Sequence, residues 1–598
     1  MCRIAGIIDK AKSIDQLKQE VKAMCDVMAH GGPDDEGYFE DKNQGLVFGH
    51  RRLSLIDLSP SGHQPMSYHN NKLTITYNGE IYNFPDLKKE LSENGFRFVS
   101  QSDTEVILAA YQKWGIKAFE KFVGMFAFAI YDSEKQTTFL VRDQMGIKPL
   151  YYAIANNRLV FASEVKAFEL SGNYSENKDW KTYFLAFGHV PEPYTTLNGV
   201  KILPAGSFLS WDHNSRKFEI IPFHFEYSLK QIVQNQDPAG GLAKKLHSAV
   251  KRHLLADAPV GVFLSGGIDS SIITLLADEA IGKNLQSLSI NFNETAFSEE
   301  RFQQEVTART SGTHHQYIVK KEDFNEHFGE ILTAMDQPSN DGINSWFVNK
   351  YAKEMGLKAV LSGIGADELF GGYPSFNRMG LIKSLKLLPR FLLKLCAFIP
   401  NEKIKRIYYL AYRNPIGEYL FLRGFFIPHD IARILGIAKT EVDALMENFP
   451  VPAIFKTLKG KERASWFETH IFMRNQLLKD TDFMSMHHGI EVRLPFLDQG
   501  FVDFSDHIPT PQRFQERPKG ILIEAFKNLL PKMIWDRPKM GFTFPLQQWF
   551  LTGNHITDEK IYTGSPYTLK LIQKFKAGKM HWSKAFALYQ ITTRKFNA

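Results

Sequence analysis

Cysteine is scarce in this 598-residue chain: Cys2, Cys25 and Cys396 only, with no CxxC pair among them. That excludes a disulfide framework and a cysteine-built zinc site, and it fits a reducing compartment, the cytoplasm. No apolar run approaches the roughly 18 residues of a membrane span, so no stable membrane insertion is expected. The basic-then-apolar pattern of a secretion signal is also missing at the N-terminus. Charge of either sign is close to balanced, at +7 overall, too mild over this length to mark a nucleic-acid partner. Internal repeats and low-complexity tracts are absent, and so is a Walker GK[ST] loop.

What remains is an ordinary globular composition, 44% apolar and 23% charged, in a chain too long for one core. Residues 2–222 read as a strand-rich unit. Short apolar runs at 46–48, 73–77, 126–131, 139–141 and 159–161 alternate with turn signals such as Asn78-Gly79 and Asn156-Asn157. Helices are expected at 14–28 and at 103–113, the second capped by Ser102 or Asp103. The pattern suggests stacked antiparallel sheets with helices outside, an α+β layered domain. A polar linker is expected at 223–240. Residues 241–598 then turn to α/β: a helix to His253, a strand at 260–264, a helix to 277, and strands at 287–292 and 357–361 with helices between. Such alternation predicts a parallel sheet, followed by a mostly helical C-terminal part.

Between Arg378 and Arg406 lie eight Lys/Arg and one acid, Glu402, interleaved with Leu, Phe and Ile. A basic amphipathic helix can rest on an anionic surface. Pro389 interrupts this one, and a solvated helical insert is the more ordinary expectation.

Ser265-Gly266-Gly267-Ile268-Asp269-Ser270-Ser271 follows an apolar strand and opens a helix. A glycine turn there aims backbone N–H groups at one point, and the helix dipole adds positive potential. An acid inside an anion site repels unless it holds a cation, so Asp269 implies Mg²⁺ on pyrophosphate. A second glycine-rich turn, Ser362-Gly363-Ile364-Gly365-Ala366-Asp367-Glu368, ends another strand of the expected sheet. Strand carboxyl ends share one crevice, which makes Asp367 a second candidate metal ligand.

Cys2, once Met1 is removed, carries a thiol whose ordinary pKa is about 8.5 beside an amine of about 7.7–8.0. The amine can then serve as base to its own nucleophile. Farther along, Arg52 can grip an α-carboxylate with its fork, and Glu80 and Asp103 can accept from an α-ammonium. Asn78 and the Gly79 N–H can steady a tetrahedral oxyanion. Together they offer what glutamine binding and hydrolysis need.

These motifs, with the stretch His30–Gly37, Arg52-Leu53-Ser54, Asn78-Gly79-Glu80 and Glu491-Val492-Arg493-Leu494-Pro495-Phe496-Leu497-Asp498, stand in the order found in glutamine-dependent asparagine synthetases. Over nearly its full length the chain resembles that family. The resemblance implies an N-terminal four-layer αββα glutaminase domain of the N-terminal-nucleophile type. It implies a C-terminal ATP pyrophosphatase domain using ATP and Mg²⁺. By resemblance Ile290 and backbone near Leu264 contact adenine, Ser265, Gly266, Gly267, Ser270, Ser271, Ser362 and Gly363 complete the ATP loops, and Lys539 neutralises the leaving phosphate. The implied partners are small molecules: glutamine, ATP and a carboxylate acceptor, aspartate by default. A homodimer is an assembly the sequence leaves open.

Two positions depart from the family. Ile364 stands where the SGEGxDE motif has a Glu, so the general-base work there falls to ammonia itself or to a nearby acid such as Glu368. Gly31 replaces the Arg of HRGPD. The stretch 336–344 also differs from aspartate-specific members and is more like paralogues that amidate other carboxylates, such as uronic acids of surface polysaccharides. A non-catalytic nucleotide or glutamine sensor is the alternative of another class; the retained Asp269, Asp367 and Lys539 speak against it. A tRNA-modifying enzyme fits the ATP loop but leaves Cys2 without work.

Overall fold

Alternation along the strand Arg3–Ile8 sorts its side chains: Ile4 and Ile8 face one way, Ala5 and Ile7 the other. In the computed structural model, which describes residues 2–224 and 237–594, both faces are buried. This strand lies inside a six-stranded antiparallel sheet ordered Val200–Ile202, Tyr151–Ala155, Arg158–Ala162, Arg3–Ile8, Leu46–Arg52, Asp35–Asp41. A second antiparallel sheet runs Phe218–Pro222, Ser207–Asp212, Thr137–Arg142, Gly124–Asp132, Leu73–Ile81, Met66–Tyr68.

Ile4, Phe48, Phe161, Ala129, Leu140 and Leu209 fill the space between the sheets. Outside the first sheet the helix Ile14–Val27 lays down Leu17, Val21, Met24 and Cys25, which makes Cys25 a core residue. Its start is fixed by a Ser13–Gln16 capping box. Outside the second, the helices Phe84–Glu93 and Asp103–Trp114 cover Ile75, Phe128 and Val141. The four layers αββα are those expected. Ser102 caps the second of these helices, through its side chain on the Thr104 N–H.

One turn signal misleads. Asn78-Gly79 is not a turn but lies within Leu73–Ile81, paired across to Ala127 and Phe126. Pairing along the whole length of Gly124–Asp132 outweighs the local preference of an Asn-Gly step. Asn156-Asn157 does turn the chain, both residues at positive φ, between Tyr151–Ala155 and Arg158–Ala162.

Most of the expected linker, and the removal of Met1, lie outside the described residues. At the linker's far end the helix Pro238–His253 has already begun, capped by Asp237. The second half is built on a five-stranded parallel sheet: Thr313–Ile318, Gln286–Asn291, Val260–Phe263, Ala359–Leu361, Glu491–Arg493. From Val260–Phe263 the chain adds strands on one side, then crosses to the other. The reversal leaves a crevice at the carboxyl ends of Val260–Phe263 and Ala359–Leu361, and both glycine-rich turns open onto it. The C-terminal part is helical, with a π-helical stretch Glu468–Leu477 between the helices Gly460–Phe467 and Leu478–His487.

Candidate active site

The face-to-face packing of the two sheets brings Cys2, just before Arg3–Ile8 of one, against Asn78 on Leu73–Ile81 of the other. The Cys2 backbone N donates to Asn78 Oδ1 at 3.1 Å, and its Sγ lies 4.0 Å from the Leu53 carbonyl. Asn78 is wholly buried, and its Nδ2 has no hydrogen-bond partner among the described residues. A buried amide with an unused donor beside a nucleophile suits a developing oxyanion. Burial pushes the Cys2 thiol up, while the nearby Arg52 charge works the other way. Gly79 sits at φ +152°, where an added Cβ would come 2.1 Å from the Met125 carbonyl oxygen. Gly79→Ala is therefore expected to destabilise the domain by about 3 kcal/mol, read as a drop in thermal midpoint with glutaminase activity lost alongside.

Arg52 is bonded to carbonyls, of Ser59 at 3.2 Å and Asp57 at 2.5 Å, and no carboxylate among the described residues pairs with it. Asp103 is largely committed: its Oδ2 accepts from Tyr77 Oη (2.8 Å) and the Ile81 N–H (3.0 Å). Glu80 shares the strand face of Asn78 and reaches the other half of the molecule, 3.5 Å from Arg493 Nη2. Burial and the neighbouring Glu491 charge push its carboxyl well up.

Arg493 joins the two halves. Fully buried, it also pairs with Glu491 (2.5 Å) and donates to the His253 and Leu255 carbonyls, while its own carbonyl accepts from the Ser362 N–H at 2.9 Å. One residue thus touches the strand bearing Asn78 and the turn at the parallel sheet. Asp482 adds a second bridge, to Arg3 at 2.7 Å and Lys148 at 3.4 Å. Gly31 is explained by the same Arg3, whose Cγ would lie 2.8 Å from any Cβ at that position.

The crevice holds a cavity of about 710 Å³. Leu264, Ser265, Gly267, Asp269, Ser270, Ile290, Ser362, Gly363, Asp367 and Lys539 line it. Gly266 and Ser271 do not. Gly266 supplies the turn itself at φ +83°, and Ser271 is buried within the first turn of the helix Ile268–Ile281. Gly363 lets the two turns touch, since a Cβ there would stand 2.9 Å from the Asp269 Cβ.

Sequence reasoning missed Lys519. Its Nζ lies 2.5 Å from Asp269 Oδ2 and 2.5 Å from Asp367 Oδ1, and Lys539 reaches the same Asp367 oxygen at 2.8 Å. The two carboxylates therefore share one ammonium. Burial works to raise both carboxyls; the two lysines hold Asp367 below its ordinary range, and Asp269 stays raised. A signal was present: Arg517-Pro518-Lys519 repeats the tripeptide Arg537-Pro538-Lys539 twenty residues on. Two carboxylates on a cavity large enough for a nucleotide, with a buried Asp269 Oδ1 that has no hydrogen-bond partner among the described residues, fit Mg²⁺ held jointly with phosphates.

Residues 1–221 match the family pattern of a glutamine amidotransferase domain, and residues 241–563 that of asparagine synthase. The chain belongs to the asparagine synthase family. It is 32% identical to asparagine synthetase [glutamine-hydrolyzing] 1 of Bacillus subtilis, over 92% of this chain and 88% of that one. Asparagine synthetase [glutamine-hydrolyzing] 3 of the same organism is 30% identical, over 94% and 91%. Amidase chry2 of Gibberella zeae is 26% identical, over 89% and 86%. Membership of the asparagine synthase family makes this a carbon–nitrogen ligase with a glutaminase half.

At Ile364 the chain differs from the SGEGxDE pattern, and another carboxyl lines the same cavity. Glu368, buried and lining the same wall, accepts from Tyr373 Oη at 2.7 Å. Burial and the adjacent Asp367 push its carboxyl up to about 7. At the far end Asp341, Asn344, Ser345, Asp480 and Thr481 face the space. Burial raises the carboxyls of Asp341 and Asp480, the latter helped by the Asp341 charge.

Proposed function

We propose that the protein is a glutamine- and ATP-dependent amidotransferase whose default acceptor is aspartate. The observation that carries the reading is Arg493, whose side chain is ion-paired with Glu80 on the strand of the Cys2 site and whose carbonyl accepts from the turn of the nucleotide cavity. Cys2 attacks the glutamine amide carbon, the Asn78 amide and Gly79 N–H taking the oxyanion; ammonia leaves, and water clears the thioester to glutamate. In the cavity the acceptor carboxylate attacks the α-phosphorus of ATP and expels pyrophosphate. Ammonia then displaces AMP from the acyl-adenylate. Lys519 and Lys539 offset charge on the departing phosphates, and Glu368 takes the proton of the attacking ammonia. Asp269 and Asp367 would hold Mg²⁺, which when bound screens the phosphates from each other and from the carboxylates.

Glu368→Gln should lower ammonia-dependent amidation about a hundredfold while glutamine hydrolysis continues; amidation unchanged in the variant would rule Glu368 out.

A second acceptor has a specific observation in its favour. Among the described residues the cations lining the cavity are Arg517, Lys519, Arg537 and Lys539. Lys519, Arg537 and Lys539 bond within the phosphate corner, and Arg517 bonds the Trp535 carbonyl. None of these four pairs with Asp341 or Asp480, where a second acceptor carboxylate would need a counter-charge. Asn344, Ser345 and Thr481, which line the same end, offer neutral hydrogen-bonding partners for a hydroxylated acid such as a uronic acid. Pyrophosphate release measured over aspartate, glutamate and uronic acids decides: a signal with a uronic acid and none with aspartate would overturn the default.

A further inference from the structure

The basic stretch at 378–406 is helical and largely open to solvent, as expected of a solvated insert, but held to the core at a few points. It folds as the helix Pro374–Leu385, a turn, the helix Arg390–Leu395 started by Pro389, and a 3₁₀ turn Cys396–Phe398. Ile382, Leu393 and Ala397 are buried and fasten it to the core. The opposite face is apolar and open: Phe391 is 64% exposed, Phe398 72% and Leu387 84%, with Leu381, Leu388, Leu392, Leu395 and Ile399 also exposed. Of seventeen large apolar side chains exposed among the described residues, eight fall within 381–399 and the others are scattered. Isolated exposed apolar groups are normal; a contiguous set of this size marks a surface that something covers.

Charge says what covers it. Lys383, Arg390, Lys394 and Lys403 are exposed in the same segment and have no acidic partner among the described residues. Lys386 is paired with Glu418, and Glu402, the one acid, is taken up by Lys405 and Lys584. A second copy of the chain meeting this face across a two-fold axis would set four uncancelled cations against the same four. A layer of phosphates over an apolar interior has the complementary arrangement. We propose that this face docks the protein on an anionic phospholipid bilayer, Leu387, Phe391 and Phe398 entering the interface while the lysines and Arg390 meet headgroup phosphates. The contact is peripheral: no helix of the described residues is long and apolar enough to cross a membrane. It is independent of the acceptor and of the amidation reading.

The full chain is sedimented with phosphatidylcholine vesicles with and without phosphatidylglycerol. Binding is expected only to the anionic vesicles, weakening as salt rises. The triple variants Lys383→Ser/Arg390→Ser/Lys394→Ser and Leu387→Ser/Phe391→Ser/Phe398→Ser should each bind at least about tenfold more weakly. Both should keep native glutaminase activity, since none of these residues touches either site. No sedimentation with anionic vesicles, or sedimentation that neither variant weakens, overturns the proposal. So does a patch-dependent dimer on size exclusion without vesicle binding, which would assign the face to a second copy.

Discussion

Cys2→Ala is expected to abolish glutamine-dependent product formation while ammonium salts still support it. Removing the thiol leaves no group to form the thioester, and loss of a covalent nucleophile costs on the order of 10³-fold or more. The cavity at the parallel sheet stays intact, because the hydrogen bonds of Cys2, to Asn78 Oδ1 and the Leu53 carbonyl, lie within the glutaminase half. Amide produced from glutamine and from ammonium chloride, measured side by side, is the check. If both activities fell together, the two halves would not be separate sites. Burial of the thiol raises its pKa, so the thiolate fraction grows with pH, and native glutaminase activity should rise with pH until the thiol has titrated.

Lys519→Met should act on the other half alone. It removes the ammonium shared by Asp269 and Asp367, leaving two largely buried carboxylates with Lys539 on Asp367 alone. Breaking a buried pair by deleting one partner costs about 3–5 kcal/mol, and loss of a preorganised cation beside the phosphates costs catalysis about 10²–10³-fold. Acceptor-dependent pyrophosphate release should drop by that factor while glutamine hydrolysis continues. Asp269→Ala should give the same split. Near-native pyrophosphate release in Lys519→Met would show that the ammonium is structural and carries no phosphate charge.

Local chemistry made much of both sites legible. A strand running into Ser265-Gly266-Gly267-Ile268-Asp269-Ser270 can be read as an anion loop because everything it needs lies within a few residues. The helix after Ser102 is likewise written in its cap and its apolar spacing. Lys519 could not be placed that way, since it stands 250 residues from Asp269 in sequence and meets it only because separate helices return to one sheet. Arg493 was recognised as part of a motif, yet its contact with Glu80 exists only once the two halves are docked.

The chain by itself therefore pointed to two chemistries: a candidate nucleophile at residue 2 with groups suited to an amide, and a glycine-rich turn with acids suited to phosphate. Those depend on residue type and short spacing, which folding does not change. Tertiary structure decided the rest. It placed Asn78-Gly79 in a strand where a turn was expected, because pairing along nine residues outweighs one dipeptide's preference. It put Glu368, already a candidate for the missing base, on the cavity wall that Ile364 also lines. And it turned Leu387, Phe391 and Phe398 outward while burying Ile382 and Leu393, a sorting that periodicity suggests but that only packing against the core can assign.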